Sequence, residues 1–202
     1  MILYSRVIDI PDSEPITLDE AKTHLEVTGT SKDNYITSLI TTARRLCEAY
    51  CGLSFVSQER RIMLDRFPCG EIIVPYGPVQ SIDSFTYLKT DLTTGTLVLN
   101  TDFMLDNHSE LARLFPLEDS ELGDWPDTAL RPNAVTIEYT AGYDDISYNP
   151  LPEQVKQAML LQIGAMFENR QDEVVGVSSV ARLSMDSKMM LDTIKVDWNA
   201  NY

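Results

Sequence analysis

The hydrophobic period of this chain changes twice, and that double change constrains the fold more than any other feature. From Ile16 to Gly52 apolar residues recur at helical spacing. From Phe55 to Tyr143 they fall into short runs of β-branched and aromatic residues, and from Leu151 helical spacing returns. A helical pattern does not pack as a strand, nor the reverse. The expected fold is therefore α+β, with N- and C-terminal helices packed as a small bundle and an antiparallel β domain inserted between them.

The first helical stretch opens at Thr17, with Glu20 three residues later, the pattern of a capping box; Ile16 and Ala21 flank it as a weak staple. This short helix runs to about Val27 and stops at Gly29. A second start at Thr30–Asp33 leads into Tyr35, Ile36, Leu39, Ile40, Ala43, Leu46, Cys47 and Tyr50 on one face. Thr37, Ser38, Thr41, Thr42, Arg44, Arg45 and Glu48 fill the other face, and Gly52 closes the helix as its C′ residue.

Seven strand candidates follow: RRIMLDRF, EIIVPY, SIDSFTYLK, TGTLVLN, DFMLD, ARLFP and AVTIEYTAGY. Gly, Pro, Asn and Asp separate them, as in a small sandwich or barrel-like sheet. Residues 118–132 read as an acidic loop. Pro152 near a first turn announces a last long helix, on which Val155, Ala158, Met159, Gln162, Ile163, Met166 and Phe167 mostly share a face. So broad a face needs a partner, most simply the helix at 32–51. Beyond it, Val174–Val177 reads as extended and Ser187–Lys195 as a short helix. The division expected is 1–54 plus 148–171 as a discontinuous helical core, 55–147 as the β insert, and 172–202 as a docking tail.

The chain has 202 residues, 44% hydrophobic and 23% charged, a globular composition able to bury a core without disulfides or metals. Its formal net charge of −15 repels phosphate backbones and disfavours a nucleic-acid clamp, while leaving room for a surface that nucleic acid slides past. No run approaches a transmembrane span, and the N-terminus lacks the layout of a signal peptide. A chain made and kept in a cytoplasm is expected, with Cys47, Cys51 and Cys69 as reduced thiols.

Catalytic signals are sparse. His24 and His108 form no ligand pair, and no HExxH, GxSxG, phosphate-loop or GxGxxG pattern occurs. Cys47 and Cys51, four apart on a helix, read better as small buried core residues than as half of a metal site. Cys69 at a turn has no visible activating base. The acids at 118–127 do not follow a calcium-loop pattern. The basic pairs Arg44-Arg45 and Arg60-Arg61 lack interleaved aromatics and read as solvated or as partners for a neighbouring subunit's acids. No catalytic, cofactor or metal residue is nominated, and no enzymatic activity is expected.

Four segments in order carry a resemblance. ITLDEAKTHLEV, through Leu18, Glu20, Ala21, Lys22, His24 and Leu25, precedes a helix with Ala43, Arg44, Glu48, Tyr50 and Gly52. Gly77-Pro78-Val79-Gln80-Ser81-Ile82, then VTIEYTAGYDD, then Pro152, Lys156, Ala158, Phe167, Glu168 and Arg170 complete it. Together these resemble the head-tail connector proteins of tailed phages, over residues 16–171; residues 175–202 depart from the family pattern. The resemblance implies a structural adaptor of a phage or prophage, made in the bacterial host cytoplasm and resident at the head-tail junction of the virion. It implies a ring, usually of about twelve subunits, beneath the portal protein. The ring would extend the DNA channel, with DNA only as passing cargo, and dock the next connector (stopper) or tail protein, with no membrane partner and no cofactor. Portal docking is expected of Met189, Met190, Ile194, Trp198 and Tyr202, and an inter-subunit helix surface of Arg44, Arg45, Glu48, Lys156, Glu168 and Arg170. A standalone protein-interaction module is the alternative reading, and a carboxylate-dependent hydrolase or nuclease a more distant one.

Overall fold

A computed structural model describes residues 3–9, 11–117, 124–144, 150–169, 173–174, 177–178 and 183–196. The elements, in order, are β1 (Leu3–Val7), α1 (Leu18–His24), α2 (Asp33–Cys51), β2 (Gln58–Leu64), β3 (Ile72–Val74), β4 (Val79–Leu88) and β5 (Thr94–Thr96). They continue with β6 (Phe103–Asp106), β7 (Ala112–Pro116), β8 (Val135–Ala141), α3 (Glu153–Glu168), β9 (Glu173–Val174), β10 (Val177–Ser178) and α4 (Met185–Leu191). The mixed α+β class read from the two period changes is what is seen.

The chain divides into two compact units. One comprises Met1–Pro11, Gly52–Tyr143 and Val196–Tyr202; the other comprises Asp12–Cys51 and Asp144–Lys195.

The β unit holds a five-stranded sheet in the order β1-β2-β8-β4-β5 and a three-stranded sheet in the order β3-β7-β6. Every pairing between these described strands is antiparallel. Each of the seven runs read from Phe55 onward contributes one strand. The cause is visible in β8, whose residues alternate between buried and half-buried from Val135 to Ala141. One face of a pleated strand thus feeds the core. Both sheets supply that core: Ile62, Leu64, Phe85, Val135 and Ile137 from the larger, Ile72, Val74, Phe103 and Leu114 from the smaller. Phe67 and Trp125 stack at 5.2 Å between centroids beside it. The Tyr139 hydroxyl, buried with its ring, donates to the Pro75 carbonyl at 2.7 Å, so the polar end of a large core residue is satisfied.

Gly142 ends β8 at φ +137°. A Cβ there would lie 2.1 Å from the Val56 carbonyl oxygen, so this position demands the residue that has none.

The first strand is a departure from the division read in the sequence. β1 was expected among the helical residues 1–54, yet it pairs residue for residue with β2, Leu3 opposite Leu64 through Val7 opposite Arg60. Five extended residues cut off by prolines carry no information about which distant strand they will join; that is settled by register.

In the helical unit α1 begins with the expected capping box. The Glu20 amide donates to Thr17 Oγ1 at 3.2 Å, and the Thr17 amide donates to Glu20 Oε2 at 2.7 Å. The Thr17 hydroxyl, donating to Glu20 Oε2 at 2.7 Å, and then the Thr17 amide hold the Glu20 carboxyl below its ordinary range. The helix stops earlier than Val27, because Glu26 turns to φ 54°. α2 ends at Cys51, and Gly52 at φ 70° is its C′ residue as read. Ile36, Leu39, Ile40, Ala43, Cys47 and Cys51 are its buried apolar side. α3 packs against α2, burying Val155, Ala158, Met159, Gln162 and Ile163. Pro152 is the N-cap of α3, next to its first turn as read.

Candidate docking surface on the helical unit

The polar face of α2 holds an ion-pair chain that its sequence does not announce. Arg44 Nε donates to Glu14 Oε2 at 2.7 Å, and Arg44 Nη1 donates to Glu48 Oε2 at 3.0 Å. Thr41 Oγ1 adds a 2.8 Å bond to Glu14 Oε1. Arg44 is 2% exposed and Glu48 5%. Burial works against the guanidinium charge, but Glu14 and Glu48 outweigh it and raise the Arg44 pKa. This places Arg44 and Glu48 inside the unit and removes them from the expected inter-subunit helix surface. Spacing put them on the polar face, and only the return of Glu14 over that face buries them.

Arg45 and Glu168 are exposed, as a subunit-facing role requires. Lys156 is half-buried and lies 3.7 Å from Glu153. Arg170 lies outside the described residues. Of the second basic pair, Arg60 is buried against the Tyr76 ring at 3.8 Å, and Arg61 donates to Glu138 at 2.8 Å. Neither is simply solvated, one of the two readings that the sequence offered.

Cys47 and Cys51 are buried, and burial, first among the causes, pushes both thiols up to about 12. They are inert core residues at neutral pH. Cys69, His24 and His108 are exposed. Among the described residues no group of three His, Cys, Asp or Glu side chains could hold a metal ion, and no helix is long and apolar enough to cross a membrane.

The surface that remains is built by α3 and α4. Ser184 caps α4, its hydroxyl accepting from the Ser187 amide at 3.3 Å. The Ser184 amide donates to Gln162 Oε1 at 2.8 Å, and the buried Ser187 hydroxyl donates to the Ala158 carbonyl at 2.8 Å. Leu191 is fully buried. At the far end the Tyr50 hydroxyl donates to Asp192, and the Lys195 ammonium lies 4.8 Å from the centroid of that ring. The bond to Asp192 is the main reason the Tyr50 phenol is pushed up to about 12.

So anchored, α4 turns its other side to solvent. Met185 is 74% exposed, Met189 67% and Met190 37%. With Gln154, Leu161, Asp186 and Thr193, Met189 and Met190 line an open groove of about 610 Å³. Flexible, polarizable methionines on a groove suit a partner helix or an inserted aromatic side chain. Met189 and Met190 are thus side by side where docking was expected, and Ile194 is half-buried nearby in sequence. Trp198 and Tyr202 lie outside the described residues. The sequence reading began this helix at Ser187 and so missed Met185. Ser184 as N-cap, followed three residues later by Ser187, was the available signal.

The fold is shared with chains from gene transfer agent particles, two of them neck chains. Over 98% of its length the chain superposes on 96% of a chain from the neck of an empty gene transfer agent (GTA) particle computed with C6 symmetry, with TM-score 0.75 and 18% identity. A chain in the virion of the native gene transfer agent particle gives 0.74 at 17% identity, with the same coverage. One from the neck of the native particle computed with C12 symmetry gives 0.68 at 16%, again with that coverage. In sequence, residues 15–83 match the family of phage gp6-like head-tail connector proteins. A comparison with curated protein sequences finds no match. The resemblance read from the motifs is borne out over residues 15–83, and the α+β fold over nearly the whole chain.

Proposed function

We propose that this protein is a structural, non-catalytic connector subunit at the head-tail junction of a phage-like particle. One observation carries the reading: nearly the whole chain shares its fold with neck chains, and the connector-family segment lies within that fold. In this reading copies of the chain close into a ring on the particle axis below the portal protein. The ring continues the path of DNA and receives the next connector or tail protein. The charge of −15 suits a wall that must not hold phosphates, since rings of lysine or arginine would retain them. The methionine-lined groove between α3 and α4 is the docking surface for the portal side, with Met189 and Met190 as its apolar contacts.

The test is assembly without the gene product. DNA-filled heads that fail to join tails, restored by the wild-type chain and not by Met189→Asp/Met190→Asp, support the reading. Normal tailed particles in its absence overturn it.

A further inference from the structure

The five-stranded sheet ends in two unlike edges, β5 and β1. β5 is three residues long, and a very short strand is one of the ways a protein blunts an edge. β1 offers five residues. The Ile8 amide donates to the Glu59 carbonyl at 2.9 Å, one step beyond the Val7–Arg60 pair. Bonded pairs alternate along an antiparallel ladder, so Arg6 and Ile8 bond toward β2, while Ser5 and Val7 direct N–H and C=O away from it. Among the described residues no strand and no other backbone group receives them.

Side chains add a charge pattern to this edge. Residues directly opposite in an antiparallel pair share a face, and Arg6 lies opposite Arg61, which lies opposite Glu138 on β8. Arg61 Nε donates to Glu138 Oε1 at 2.8 Å, and the Ser84 hydroxyl on β4 donates to Glu138 Oε2 at 3.1 Å. The carboxylate of this row is thus taken up by Arg61 and Ser84. Arg6 is exposed and, among the described residues, has no ion pair, not even with the diagonal Glu59. Like charges directly opposite each other disfavour the pairing. Across the sheet the row runs carboxylate, guanidinium, guanidinium, open edge, and an acid in the next place would face a cation that has none. Beside Arg6, Val7 is 42% exposed on the opposite face and Ile8 37% exposed at the strand's end.

We propose that the β1 edge is a docking site for an extended segment of another protein, added as a further antiparallel strand with an acidic residue opposite Arg6 and apolar residues opposite Val7 and Ile8. Main-chain bonds to Ser5 and Val7 supply affinity, while the Arg6 pair and the apolar contacts set the register. The net charge of −15 does not decide against an acidic partner. At physiological salt, exposed charges more than about 8 Å apart are largely screened, whereas the Arg6 contact is direct. The site belongs to the β unit alone, so the connector reading stands or falls without it.

The probe is a capped peptide containing Val-Val-Glu-Thr, whose antiparallel register sets its glutamate opposite Arg6, compared with the same peptide carrying lysine there. Binding to the full-length chain is followed by titration calorimetry and residue-resolved amide exchange. The glutamate peptide should bind about fivefold tighter or more, and Arg6→Glu should reverse the preference. The Ser5 and Val7 amides should exchange freely in the chain alone and slow when the peptide is bound. Arg6→Glu alters an exposed side chain and should melt as the wild type does; should it fail to fold, loss of the wild-type preference in ~1 M salt takes its place. No binding, binding without slowed Ser5 and Val7 exchange, equal or better binding of the lysine peptide, or a preference that Arg6→Glu (or, in its place, high salt) leaves unchanged would each overturn the site. So would slow exchange of those two amides in the chain alone, because its own residues would then cover the edge. Exchange that slows only as the chain is concentrated would overturn it too, because a second copy would then be the occupant.

Discussion

Removing the Arg44 guanidinium leaves Glu14 and Glu48 facing each other with no cation between them. Breaking one member out of a buried ion pair costs about 3 kcal/mol or more, so Arg44→Ala should lower the unfolding free energy by that order in denaturant titration. Glu48→Gln, which keeps the shape and the Glu14–Arg44 bonds, should cost clearly less. Glu110 makes the opposite kind of prediction. Burial raises its carboxyl above the ordinary value of 4.5, and its Oε2 is buried without a hydrogen bond. The folded chain therefore holds that proton more tightly than the unfolded one does. The resulting stability is present below 4.5 and is lost as pH rises through the raised value. Melting temperatures of wild type and Glu110→Gln should draw apart over that range, the variant gaining as pH rises. Neither site could be read from the sequence. The Arg44–Glu48 spacing was visible, but Glu14 lies thirty positions from Arg44, and which acid folds back over a helix is decided by the path of the intervening chain.

Elements were far more legible than these contacts. The capping box at Thr17, the long α2 with its terminal glycine, seven of the eight described strands of the two larger sheets and the face of α3 all follow from local patterning. What escaped were partners without a period. β1 joins β2 through register alone, and α4 starts at Met185 because Ser184 caps it, two residues ahead of the Ser187 start read in the sequence. Two predictions belong to this scale. Gly142→Ala sets a Cβ against the Val56 carbonyl at a positive φ, and the β unit should lose cooperative unfolding or solubility where a surface glycine change would not. Tyr50→Phe removes the bond to Asp192 that helps fasten α4. Limited proteolysis and amide exchange across 185–191 should both accelerate, with α2 and α3 unchanged.

For the whole molecule, the acidic charge, the sparse catalytic motifs and the four-segment resemblance pointed to a geometric role before any coordinates. The fold is shared with neck chains over nearly the whole length. The face proposed for docking was legible only in part: Met189 and Met190 stood out as apolar residues in a polar tail, whereas the groove they line exists only once α4 lies on α3. The most direct measurement is a symmetry-averaged density map of the particle whose genome encodes this chain. The account predicts a closed ring of copies between head and tail, with the α3–α4 groove turned toward the portal. Tailed particles whose neck contains no density for this chain would contradict it.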